Sequence, residues 1–243
     1  MHELPAAARL AAWGSAALEG AVSLDEAADR VTGLYDAPHR VFNLPAEPSG
    51  VNVAYALGRL RAQGVSALRL VLPRPGDATG LPGPPPFNES AVARGAAVLT
   101  VGGVPPLGVL DETRGAWTVH PVRPDPRTPM SLREAERDLA RVMRESTDLL
   151  MSLAVARWEP AAAEVLAHHS SRVPAVLPPT APPPAHRVLE GAQRLMLIVD
   201  AARAGEGAAI TAAESNARAL VLRDLDAAAR RGIEAACSGP GAG

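Results

Sequence analysis

At 243 residues, 47% hydrophobic and 21% charged, the chain has the makings of a soluble globular protein with one large core or two modest ones. The net charge of −2 divides evenly, with 10 Arg against 12 acids up to residue 125 and 14 of each after it, so neither half is basic enough for a nucleic acid partner. All 24 basic residues are Arg and the one Cys is Cys237, which excludes the usual lysine chemistries of P-loops, pyridoxal enzymes and kinases, excludes disulfides within the chain and Cys-held metal clusters, and points to a reducing cytoplasm.

In chain order, residues 5–20 and 24–35 are Ala-rich, charge-dotted segments that suit two helices ending near Gly20 and Gly33. The first is apolar, but it lacks a positive region ahead of it and is interrupted by Arg9 and Glu19, so it does not read as a signal peptide. No run approaches the roughly 18 uncharged apolar residues of a membrane span, so no membrane partner is expected. "HRVFNL" (39–44) reads as a short strand. "SGVNVAYALGRLRAQG" follows as an amphipathic helix with Val53, Leu57 and Leu60 on one face, Ser49 as cap and Gly64 as stop. "VSALRLVLP" alternates Leu68, Leu70 and Leu72 and reads as a second strand. Strand, helix, strand in that order is a βαβ unit with two parallel strands.

The stretch "LPRPGDATGLPGPPPFN" (72–88) comes next, with six prolines and three glycines. "NESAVARG" then reads as a short helix capped by Asn88. Three apolar runs between residues 96 and 122, separated by Gly-Gly and "DETRG", carry the punctuation of an antiparallel meander. "RPDPRTP" (123–129) marks a boundary, after which only helical patterns occur. "SLRE" is a capping box pairing Ser131 with Glu134, ahead of a stripe running to about Trp158. Shorter helices are expected over 160–169 and 187–205, and "TAAE" (211–214) is a second capping box opening a last helix. The fold class is α+β: a small mixed α/β domain over 1–125, then an all-α bundle of about four helices over 126–243.

The stretches "LPRPGDATGLPGPPPFN", "VARW" (155–158), "AITAAE" (209–214) and "LRDLDAAARR" (222–231) resemble a family of conserved hypothetical proteins of high-GC actinobacteria, from about residue 38 onward. The resemblance implies a bacterial intracellular protein. It carries no catalytic residue over.

Five residues are candidates for binding: Arg74, Asp77, Asn88, His39 and Arg40. If "ALRLVL" is a parallel strand, residues 73–77 lie beyond its carboxyl end, where open α/β sheets bind ligands. Arg74 could then hold a carboxylate or phosphate and Asp77 could orient it or accept a proton. The other reading is a connector, in which Arg74 and Asp77 pair across a tight turn and the prolines cross the surface; the composition favours it. His39 and Arg40 could serve an anion, though a solvated pair at the start of a strand is the commoner case. Parallel neighbours would put His39 at the opposite edge from Arg74. His168 and His169, with Glu164 before them, suit a helix end better than a metal site. Asp200, beside an apolar run, suits an outward-facing or capping role. No metal, cofactor or catalytic motif is expected. These readings favour a non-enzymatic interaction or small-ligand-binding module, with a homodimer through Ala-rich helices as one form. The alternative is an enzyme acting on a small anion at loop 73–88.

Overall fold

The computed structural model describes residues 4–33, 38–113, 115–125, 127–153, 176–204 and 212–239. Its first helix, α1 (Ala6–Leu18), is buried nearly all round, because its alanines let it lie close against neighbours that Trp13 and Leu10 then fill. Helix α2 (Leu24–Thr32) starts where Ser23 Oγ accepts the Glu26 N–H at 3.0 Å. Strands β1 (Arg40–Phe42) and β2 (Val51–Asn52) form a short hairpin. Helix α3 (Val53–Ala62) is capped by Asn52, whose Oδ1 accepts the Tyr55 N–H at 2.7 Å; the expected cap, Ser49, lies three residues too early.

Strand β3 (Val65–Val71) precedes helix α4 (Pro85–Arg94), and β4 (Ala97–Gly102), β5 (Leu107–Thr113) and β6 (Ala116–Pro121) follow as the expected meander. Helix α4 begins earlier than Asn88. Prolines suit a first turn because their missing N–H would be unpaired there, so Pro85 and Pro86 open the helix. Asn88 instead lies inside it and accepts the Gly83 N–H at 2.9 Å.

The six strands form one mixed sheet in the order β2-β1-β6-β5-β4-β3. Only β1 and β6 are parallel; every other pairing is antiparallel. The expected βαβ unit is therefore absent. β3 runs opposite to β1 and lies at the far edge, with three strands between them, because β1 finds its parallel partner in β6 rather than in the next strand along the chain. Alternate side chains send Leu68 and Leu70 of β3, and Leu72 just after it, into the main core with Trp117, Val109 and α1. The other face carries a smaller cluster in which Val71, Leu99 and Leu110 meet Leu81, Phe87 and Ala91 of the loop and α4.

The C-terminal part is helical, with α5 (Leu132–Leu153), α6 (Pro183–Ala204) and α7 (Ala212–Cys237). The first capping box forms as expected: Glu134 accepts the Ser131 N–H at 2.8 Å while Ser131 Oγ accepts the Glu134 N–H at 3.3 Å. The helix expected over 160–169, with Glu164, His168 and His169, lies outside the described residues, as does Thr211 of the second capping box. α6 and α5 pack along α7, and the end of α7 reaches α1 and β3. No helix of the described residues is long and apolar enough to cross a membrane.

Candidate functional site

Arg74 and Asp77 close a tight turn through their backbones. Arg74 N–H donates to Asp77 C=O at 2.9 Å and Asp77 N–H to Arg74 C=O at 2.8 Å. Pro75 and Gly76 occupy the tip, with Gly76 at φ +83°, the residue order that a type II turn needs. The side chains then part. Asp77 Oδ2 pairs with Arg230 Nη2 of α7 at 2.7 Å. Burial works against its charge, but Arg230 and Thr79 outweigh that and hold the carboxyl below the usual range.

Arg230, 6% exposed, is the hub of a buried network. Its Nε donates to Asp226 at 2.9 Å and its Nη1 to the Leu72 carbonyl at 2.7 Å, while Arg203 of α6 reaches Asp226 at 3.3 Å. One helical turn further on, Glu234 accepts the Leu72 N–H at 2.6 Å. Burial pushes its carboxyl up to about 7, against the opposing pull of that N–H and of Arg230.

Further along the loop, Arg69 donates to the Gly80 carbonyl at 3.3 Å and Arg127 to the Leu81 carbonyl at 3.0 Å. Both also pair with Asp125, at 2.6 and 2.7 Å. Asp125 is partly buried, which opposes its charge, yet Arg127 and Arg69 hold it at about 2. The proline-rich stretch is thus pinned by arginines from β3, from the segment after β6, and from α7.

Arg74 differs. It is half-buried, and its guanidinium has no hydrogen bond or ion pair among the described residues. A Cβ at Gly95 would lie 2.8 Å from its Nη1, so the guanidinium rests on bare backbone at the C-cap of α4, where φ is +71°. Together with Pro75 and Ala78 it forms one wall of an open groove of about 680 Å³, and α4 from Asn88 to Gly95 forms the other. Asn88 therefore meets Arg74 at this groove, although its carbonyl oxygen is already occupied by Gly83.

The other candidates lie elsewhere. His39 and the end of β3 share one end of the sheet, contrary to expectation, since β1 and β3 are antiparallel. They are still four strand spacings apart, about 19 Å. His39 is 2% exposed rather than solvated, and its Nδ1 accepts the Trp117 indole N–H at 3.2 Å. Burial lowers its pKa, with Asp111 opposing and Arg9 adding to the effect. The burial has a simple cause: β1 is interior to the sheet and Gly115 crosses directly over the imidazole. Arg40 is exposed and donates to the Gly50 carbonyl. Asp200 is half-buried on α6. A separate surface cluster joins Arg94 to Glu112, with His120 Nε2 3.9 Å from Glu112. Burial, helped by Arg94, lowers the His120 pKa. Among the described residues no group of three His, Cys, Asp or Glu could hold a metal ion.

Residues 7–131 match the family model of the Rv1486c-like protein N-terminal domain, and residues 133–234 match its C-terminal domain. The chain belongs to the Rv1486c-like family. That family is named after a mycobacterial hypothetical protein, which accords with the resemblance drawn from the sequence. No curated protein and no solved structure matches the chain. The family's C-terminal domain contains Asp226, Arg230 and Glu234, which sequence reasoning passed over. Their spacing of four residues, acid–Arg–acid on one helix face, was the available signal.

Proposed function

We propose that this member of the family is a non-enzymatic binding module and that its ligand is a small anion seated in the groove between the 74–77 turn and α4. The observation behind this is a contrast among arginines. Arg69, Arg127 and Arg230 each carry an aspartate. Arg74, half-buried at the groove, carries none among the described residues. A guanidinium offers a planar fork of donors that suits a carboxylate or phosphate, and a turn already held by Asp77 and Arg230 loses little freedom on binding. Asp77 was the expected acid or base, but its bond to Arg230 keeps it ionised and occupied, which argues against proton transfer there. Glu89 stands exposed at the rim. The lone, buried Cys237, whose thiol burial pushes up to about 12, supports a reducing compartment as the proposed home.

The test is a thermal-shift screen of the intact chain against mono- and dicarboxylates and phosphate monoesters. At least one should raise the melting temperature, and Arg74→Ala should weaken that ligand by roughly ten- to a hundredfold, the worth of one charge-assisted hydrogen bond. A panel without any shift, or a shift that Arg74→Ala retains, overturns the reading. Turnover of the bound anion that Asp77→Asn abolishes would make the protein an enzyme instead.

A further inference from the structure

The groove between the 74–77 turn and α4 changes character along its length. At one end the Arg74 guanidinium lies against Gly95, with no hydrogen bond or ion pair among the described residues. The middle is apolar, with Pro75 and Ala78 on the side of the turn and Val92 and Ala93 on the helix. At the other end Glu89 is exposed, and its carboxylate has no hydrogen bond or ion pair among the described residues.

Helix geometry sets this order. Glu89, Val92 and Ala93 share a face of α4, and Glu89 lies about 9 Å along the axis from Gly95 at the C-cap. The other polar groups leave the charge unaltered. Arg94 is paired with Glu112 of β5, and Asn88 is neutral, with its Oδ1 taken by the Gly83 N–H. Among the described residues the groove therefore offers an unpaired cation and an unpaired anion with apolar surface between them. A second negative charge on a ligand meets Glu89 at the far end, whereas an ammonium finds a partner there. An alkyl chain between the two charges covers the apolar middle.

We propose that the groove takes a linear ω-amino carboxylate, with its carboxylate on Arg74, its methylenes along Pro75, Ala78, Val92 and Ala93, and its ammonium at Glu89. The assignment rests on Arg74 being the anion contact and adds what the far end of the ligand carries. A span of about 9 Å, less the inward reach of both side chains, suits about five methylenes. Titration calorimetry of the intact chain with ω-aminohexanoate, hexanoate, hexanedioate and acetate tests it. ω-Aminohexanoate should bind about threefold more tightly than hexanoate, the worth of one exposed ion pair, and hexanedioate more weakly than either. Acetate, which lacks the chain, should bind about tenfold more weakly than hexanoate. Glu89→Gln should make ω-aminohexanoate and hexanoate equal, and Glu89→Arg should put hexanedioate first, with circular dichroism confirming that both variants fold. Binding through Arg74 in which ω-aminohexanoate has no advantage, or keeps it in Glu89→Gln, overturns the inference and leaves the anion reading standing. So does acetate binding as tightly as hexanoate, or other anions binding through Arg74 when none of these does. An intact chain that binds no anion at all removes both.

Discussion

At Arg230 a single guanidinium reaches Asp226 one turn back, the Leu72 carbonyl at the end of β3, and Asp77 in the turn beyond. Arg suits this position because its donors form a fixed fork that can meet three acceptors at once. Four residues on, the buried Glu234 carboxyl has a folded-state pKa of about 7 against 4.5 for the ordinary group. Between those two values the native chain holds a proton that the unfolded chain has released. Stability from this residue is therefore fully present below about pH 4.5, is lost as pH rises toward 7, and stays flat above. Denaturant titrations should show Glu234→Gln matching the wild type near about pH 4 and exceeding it by up to about 3 kcal/mol at about pH 8. Equal stabilities at the higher pH would mean the carboxyl is ionised without cost. The spacing of Asp226, Arg230 and Glu234 could be read from the chain, but their partners on a turn about 150 residues earlier could not.

At the scale of elements, local signals sufficed where the chemistry is local. The Ser131–Glu134 box formed as its spacing required, and Ser131→Ala should cost about 1 kcal/mol in denaturant titrations, with helicity of α5 lost from its first turn. A cost indistinguishable from zero would show that tertiary packing alone starts the helix. The meander between residues 97 and 121 also followed from its turns. Strand direction did not. Periodicity at 39–44 and 65–73 identifies strands, but which strand each pairs with depends on contacts distant in sequence, and β1 pairs in parallel with β6. With that, the argument placing Arg74 at the ligand-binding edge of a parallel sheet falls away. What places Arg74 at a groove is the return of α4 across the end of the loop.

For the whole molecule, the decisive contact is that of the C-terminal helix with the sheet. Gly239 is close enough that a Cβ there would lie 2.7 Å from Ser15 Oγ and 2.8 Å from the Ala67 Cβ. Gly239→Val should lift the end of the chain from β3, where Gly239 N–H donates to the Leu68 carbonyl and Ser238 Oγ accepts the Leu70 N–H, and so uncover those two groups. Sedimentation should then show stronger self-association for the variant than for the wild type, with circular dichroism confirming that it folds. Identical sedimentation at every concentration would mean that Ser15 and Glu234 protect the edge unaided.

By itself the sequence determined the type of most described elements, the capping box that opens α5 and the lack of lysine in the chain, because these depend on composition and on neighbours a few residues apart. Tertiary structure alone decided the strand order, the burial of His39, the commitment of Asp77 to Arg230 and the lack of a partner for Arg74 among the described residues. Each of these depends on which distant segment completes a hydrogen bond or covers a face, and a single chain read in order holds no record of that pairing.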